Sequence, residues 1–217
     1  ITKHPLLDKI ATNKLLPTHN ESELHILLMP GSRKQEVSKH LHDMLLACSE
    51  LQIRKNRKII AHVIKAQTPT ELDAICNAWA DKLTINVIPH QDKYSIFNKV
   101  HAACAVSGTA SLEVALASIP LLVVYKSNWI NNMIFNWLLR GRIKWISLPN
   151  NISQKSVVKE LFQKGCDAKN ICSSLETLLW DSKVREKSFS DLQGMRKTLH
   201  DSSEKTIEDA VYNAIVD

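Results

Sequence analysis

Two short stretches of this chain combine residue types that can hold an anion. The first is LLMPGSRKQEV at residues 27–37, where an apolar run from Leu24 to Met29 gives way to Pro30, Gly31, Ser32 and Arg33. A helix-like segment bearing Glu36 follows. Backbone amides at a helix N-terminus attract anions, Gly31 permits close approach, and Arg33 offers a planar fork of donors for phosphate oxygens. The combination is a candidate diphosphate cradle, although the same residues suit an ordinary strand-to-helix turn with Ser32 as its N-cap. It is not a Walker loop, because the glycine spacing and the Lys-Ser/Thr pair are missing. The second stretch is AVSGTASLEVAL at residues 105–116, with Ser107, Gly108 and Thr109 between an apolar run and a helix-like segment carrying Glu113. Its amides and hydroxyls again suit an anion, and a carboxylate one turn into the helix can accept hydrogen bonds from ribose hydroxyls. Glu113 equally fits a solvated first-turn carboxylate favoured by the helix dipole. A nucleotide diphosphate bridging both loops would explain an arginine in one and a carboxylate in the other.

A third segment, YKSNWINNMIFNWLLRGRIKW at residues 125–145, holds Trp129, Trp137 and Trp145 among Lys126, Arg140, Arg142 and Lys144. Tryptophan with cationic side chains suits a membrane surface, and Met133, Ile134, Trp137 and Leu138 fall at helical spacing. A core helix with a basic last turn accounts for the same pattern. Nucleic acid is not expected, since the Lys and Arg are scattered and no reader motif occurs.

Such loops need elements to carry them. Short, almost continuously apolar runs recur at Leu24 to Met29, Ile59 to Ile64, Leu83 to Ile88, Ala102 to Val106, Leu121 to Tyr125 and Lys144 to Leu148. Strands buried on both faces read this way. Helix-like segments lie between them, near 34–51, 69–80, 92–99, 109–117 and 128–140. Alternation of this kind predicts an α/β fold, a parallel sheet with helices on both faces and ligands at the carboxyl ends of its strands. Past Asn151 the strand signals stop, and helices are expected near 155–163, 168–180, 184–199 and 203–215. The layout is thus a connector over 1–22, a sheet domain over 23–152 and a helical segment over 153–217.

Composition agrees with a packed globular chain. The 217 residues carry 28 Lys and Arg against 22 Asp and Glu, a net charge of +6, with 44% hydrophobic and 23% charged residues. These values exclude a disordered, collagen-like or coiled-coil chain. No apolar run approaches the roughly 18–20 residues of a membrane span, and no charged leader precedes an apolar stretch at the start, so a cytoplasmic address is expected. Cys48, Cys76, Cys104, Cys166 and Cys172 are odd in number and lack metal-ligand spacing, which reads as small buried hydrophobes.

The stretches HPLLD at 4–8, PGSRKQEV at 30–37, SGTASLEVAL at 107–116, PLLVVYK at 120–126, ISLPNNI at 146–152 and VVKELFQ at 157–163 together resemble the lipid-A-disaccharide synthase family. Their order spans nearly the whole chain but covers only the family's C-terminal half. The resemblance implies the second, Rossmann-like half of a glycosyltransferase-B fold, which holds most of a UDP-sugar donor. It implies an inverting glycosyltransferase of lipid A biosynthesis, joining UDP-2,3-diacylglucosamine to 2,3-diacylglucosamine 1-phosphate and releasing UDP. Gly31, Ser32 and Arg33 would then cradle the diphosphate, Ser107, Gly108, Thr109 and Glu113 would line phosphate and ribose, and Asn150 and Gln163 would border the cleft. No metal or cofactor is implied, because Arg33 and helix N-termini can supply the positive charge. The catalytic base stays unknown; it is expected in the family's N-terminal half, which would be a partner, as would the membrane surface or a second copy. Were the chain to transfer the sugar unaided, the base would have to come from residues such as His4, His19, His90 and Asp92. An enzyme peripheral to the inner membrane is implied. The pattern ahead of the SGT loop departs from the family, with His101, Ala102 and Ala103 where an acidic residue is usual, and a local effect is expected. The alternatives are another UDP-sugar enzyme of the same fold, an epimerase or a different transferase, and a non-catalytic basic module that binds membrane or nucleic acid.

Overall fold

A computed structural model describes Ile10 and residues 22–66, 71–126 and 144–201. Six parallel strands form one sheet: β1 (Glu23–Met29), β2 (Lys58–Lys65), β3 (Thr84–Pro89), β4 (Ala102–Val106), β5 (Leu121–Tyr125) and β6 (Lys159–Phe162). Their order is β3-β2-β1-β4-β5-β6. Helices α1 (Lys34–Lys55), α2 (Leu72–Asn77), α3 (Thr109–Leu116), α4 (Leu148–Ser153), α5 (Ala168–Trp180) and α6 (Ser182–Asp201) accompany them, with a 3₁₀ turn at His90–Ser95 and another at Gln163–Gly165. This is the expected Rossmann-like α/β sheet.

The four inner strands, β2, β1, β4 and β5, form because their side chains can be buried on both sides, while the edge strands β3 and β6 are largely exposed. In β1, Leu24, Ile26 and Leu28 join one core cluster while Leu27 and Met29 join the other, the alternation that a pleated strand imposes. Helix α1 seals the first face with Val37, Leu41, Met44, Leu45, Cys48 and Leu51, which recur every three or four residues. It ends at Asn56, in the left-handed region at φ 48°, where the N–H of Arg57 donates to the carbonyl of Gln52. Helix α5 packs beside α1, its first turn capped by Asp167, which accepts from the N–H of Asn170 at 2.8 Å. On the other face, α3 and α6 cover Ala103, Leu121 and Val123. Arg196 of α6 donates to the carbonyls of Leu116, at the end of α3, and of Ile10, the latter at 2.9 Å. All five cysteines are free and buried, as their composition implied, and burial pushes the Cys48 thiol up to about 12.

The last expected strand is displaced. Lys144 to Leu148 makes no strand: Ser147 caps α4, accepting from the N–H of Asn150, and Pro149 sits in the helix's first turn. The sixth strand lies instead at Lys159–Phe162, inside the expected helix near 155–163, so the sheet continues beyond residue 152. Lys159 and Glu160 hid it, being poor strand formers at an edge that tolerates charge, and pairing with β5 overrides their propensity. The expected helices near 128–140 and 203–215 lie outside the described residues, as does the connector apart from Ile10 and Ser22.

Three histidines meet at the amino-terminal half of the sheet. His25 Nδ1 lies 2.8 Å from His62 Nε2 with the rings stacked, and the N–H of His25 donates to His101 Nδ1 at 2.9 Å. His101, ahead of the SGT loop, thus makes a strand-to-strand contact with His25 at the rim opposite the carboxyl ends. Among the described residues, no helix is long and apolar enough to cross a membrane.

Candidate nucleotide site

Strand order reverses direction between β1 and β4, and open α/β sheets leave a crevice at the carboxyl ends of such a pair. Both motif loops fall there. Met29 pairs with Ala105, so the loops that follow leave the sheet side by side. Gly31, Ser32 and Arg33 from one loop and Ser107, Gly108 and Thr109 from the other line a single cleft of about 380 Å³, joined by Glu36, Ile64, Ala66 and His90. Six of the nine expected site residues thus come together across a long interval of sequence.

The first loop is built around its glycine. Gly31 has φ 105°, and a Cβ there would collide with the Glu36 carboxylate, so no other residue fits without displacing that side chain. Arg33, not Ser32, is the N-cap of α1. The orphan amides of this helix start are taken by the chain's own acid: Glu36 Oε2 accepts from the N–H of Ser32 at 2.9 Å and of Arg33 at 3.2 Å. Glu36 Oε1 accepts from Arg33 Nη1 at 3.1 Å. The Glu36 carboxylate thus rests on two amides and a guanidinium at this helix start. The Arg33 side chain is 83% exposed and can turn toward a ligand.

Helix α1 is in turn tied to the rest of the carboxyl rim by His40, whose Nδ1 donates to the Glu36 carbonyl at 2.7 Å while its Nε2 accepts from the N–H of Lys126 at 2.8 Å. That neutral arrangement fits the burial, which holds the imidazole below its ordinary value.

In the second loop, Gly108 has φ 147° and precedes α3, whose first residues Thr109 and Ala110 line the cleft. The N–H of Ser107 is committed to the Val124 carbonyl at 3.1 Å and its hydroxyl to the Ile146 carbonyl, so Ser107 contributes shape more than donors. Glu113 stands one turn into α3 behind the cleft wall and is 8% exposed. Lys93 Nζ approaches its Oε2 at 2.6 Å. Burial, and then this carboxylate, hold the neighbouring Tyr94 phenol above its ordinary range.

Asn150 and Gln163 are not brought into the cleft. Asn150 is fully buried ahead of β6: its Oδ1 accepts from the N–H of Val157 and Val158 at 2.7 and 2.9 Å, and its Nδ2 donates to the Val158 carbonyl and to Glu160 Oε1. With four bonds to its own chain it clasps the entry to β6. Gln163 follows β6 at φ 51°, on the same carboxyl rim but two strands from β4, about 10 Å away. Sequence reasoning missed Lys93, and it named His90 only as a remote base. Their signal was position, immediately after the proline that closes β3, at the end of the sheet where ligands bind. Among the described residues, no cluster of His, Cys, Asp and Glu could hold a metal ion.

Fold and cleft together define a Rossmann-like domain with a cleft lined by two glycine-bearing loops at its topological switch point. The sequence model of the family described as Lipid-A-disaccharide synthetase matches residues 3–215, and the chain belongs to that family. Lipid-A-disaccharide synthase from Persephonella marina is 32% identical over 212 residues, covering 90% of this chain and 53% of the relative. The enzyme of the same name from Acinetobacter baylyi is 32% identical over 186 residues, covering 81% and 46%. The chain thus spans about half the length of these curated relatives. Among solved structures, Acinetobacter baumannii MurG superposes with a TM-score of 0.52 at 16% identity, covering 90% of this chain and 49% of the other. The pneumococcal O-GlcNAc transferase GtfA, in complex with UDP and GlcNAc, superposes with a TM-score of 0.54 at 11% identity, covering 94% and 39%. At such identities the likeness is one of fold.

Proposed function

We propose that the cleft between β1 and β4 binds the UDP moiety of a UDP-sugar, and that the chain is the donor-binding half of an inverting lipid-A-disaccharide synthase. The reaction would join UDP-2,3-diacylglucosamine to 2,3-diacylglucosamine 1-phosphate and release UDP. The observation that carries the reading is the convergence of the PGSR and SGT loops on one seam, where the Glu36 carboxylate accepts from the amides of Ser32 and Arg33. The diphosphate would take over the amides of Ser32 and Arg33, with the Arg33 guanidinium and the start of α3 stabilising the charge that develops as UDP leaves. Glu113 would accept from the ribose hydroxyls, and Gln163 would face the sugar end of the rim. Asn150 would act indirectly, by fixing β6. The acceptor hydroxyl attacks the anomeric carbon directly in an inverting transfer, so a base must stand opposite the departing diphosphate. That base and the acceptor surface would come from a partner half. The Trp-rich basic segment from Tyr125 to Trp145 would hold the enzyme against the inner membrane from its cytoplasmic side, where both acylated substrates reside.

Calorimetric titration with UDP tests the reading. Binding is expected in the wild type, and Arg33→Ala should weaken it about tenfold, the low end for a hydrogen bond to a charged group at an exposed side chain. Equal affinity in both proteins would move the diphosphate elsewhere.

A further inference from the structure

The cleft has two chemically different ends. Ser32, Arg33 and Thr109 stand at one, while Ile64, Ala66 and His90 line the other, at or just past the carboxyl ends of β2 and β3. Two strand spacings, roughly 10 Å, separate β3 from β1. A nucleoside diphosphate is divided the same way, charged at one end with a flat, uncharged base at the other. Of the three residues at the second end, His90 alone has a polar side chain.

The state of that imidazole is set from behind. Its Nε2 lies 3.1 Å from the Nζ of Lys93, which is 5% exposed and pairs with Glu113 Oε2 at 2.6 Å. An ammonium has donors only, so His90 Nε2 accepts and the ring proton resides on Nδ1. Among the described residues the exposed ring makes no other hydrogen bond, which leaves Nδ1–H for a ligand. A neutral donor of this kind suits a carbonyl.

We infer that His90 is the base-reading residue of the cleft, donating from Nδ1–H to the C4 carbonyl of uracil and so selecting UDP over CDP, with Lys93 as the positioning residue that holds the tautomer. Uracil has a carbonyl at C4 where cytosine has an amino group, so the same N–H meets an acceptor in one base and a donor in the other. C4 lies on the edge of the ring remote from the ribose. That edge is the one that reaches the end of β3 when the diphosphate is held at Ser32 and Arg33. A site built to hydrogen-bond its ligand rejects an analogue that cannot return the bond, because polar groups are then left unpaired. The inference rests on the reading of the cleft as a UDP site.

Calorimetry on the full chain with UDP, CDP and pyrophosphate, run beside thermal unfolding, tests it. Wild type should prefer UDP over CDP by about tenfold, the worth of one hydrogen bond made against one left unpaired. His90→Leu should cut that preference to about twofold or less while leaving pyrophosphate affinity within about twofold. His90→Gln, whose amide can still donate, should restore part of the preference. Nitrogen NMR of the wild-type ring should show the proton on Nδ1. A wild type that binds UDP and CDP alike, a preference unchanged in His90→Leu, an equal loss of UDP and pyrophosphate affinity, or a ring protonated on Nε2 would each overturn the inference. A wild type that binds no UDP would instead overturn the nucleotide reading beneath it.

Discussion

Replacing Glu36 by glutamine should tighten anion binding while weakening the fold. In the free protein the Glu36 carboxylate sits on the amides of Ser32 and Arg33 and against the Arg33 guanidinium. An incoming diphosphate needs the same donors, and so must push aside a negative charge or lie next to one. Two unit charges about 4 Å apart repel by roughly 1 kcal/mol in water and by roughly 4 kcal/mol at the effective dielectric of a protein surface. Arg33 is 83% exposed and Glu36 21% exposed at their side chains, which places the effect near the lower figure. About 1 kcal/mol corresponds to roughly a fivefold gain in pyrophosphate affinity for Glu36→Gln. The gain should shrink with added salt, since screening acts over roughly 8–10 Å at moderate ionic strength. Losing the charged cap should cost the helix about 0.5–2 kcal/mol, or a few degrees of melting temperature. Calorimetry with pyrophosphate at two salt concentrations, beside thermal melts, reads both quantities. If affinity falls together with stability, Glu36 is a scaffold for the loop and not a competitor for its donors, and the reasoning fails.

Stability should also depend on pH through His62, whose imidazole burial, then the charges of His25 and Lys99, push down from 6.5 to about 4. The unfolded chain binds the proton more readily, so this contribution is complete above pH 6.5 and is lost as pH falls toward 4, by at most ~3 kcal/mol. In urea unfolding, His62→Leu should flatten the decline across that window; an identical slope in both proteins would assign it elsewhere. Vesicle co-sedimentation should favour anionic over neutral lipid and weaken with salt, and an indifferent result would leave the segment from Tyr125 to Trp145 without a membrane role. The 217-residue chain by itself should bind UDP yet form no disaccharide, since aligning donor, acceptor and base supplies roughly 7–11 kcal/mol of such a barrier. Robust synthesis by the isolated chain would demand a base within it.

Four of the five strands legible in the sequence, β1, β2, β4 and β5, are buried on both sides, where apolar continuity leaves no other reading; β3 is a largely exposed edge that its β-branched residues revealed, and the two loops were legible because glycine at the end of an apolar run has few structural uses. What escaped was set by partners distant in sequence. Lys159 and Glu160 look helical until β5 is alongside and Glu160 is seen to accept from Ser147 and Asn150. Asn150 reads as a turn residue facing a ligand, yet its side chain is consumed by Val157 and Val158. Lys93 reads as a surface charge, and only the fold brings it to Glu113.

The strand order has a consequence for how the protein is made. β1 is central and pairs with β2 on one side and β4 on the other, yet β4 follows only after α1, β2 and β3 have been synthesised. At roughly 5–20 residues per second, β1 waits on the order of 4–15 s with one edge unpaired as the chain leaves the ribosome. An apolar strand edge left open that long is a template for pairing with other chains, and the closure it awaits joins segments far apart along the chain, the slow kind of contact. The cleft lies on that same seam. Ligand binding should therefore be acquired last, when the two sides of the sheet have closed on each other, and a nucleotide present during refolding should stabilise that final step and raise the yield of monomeric protein.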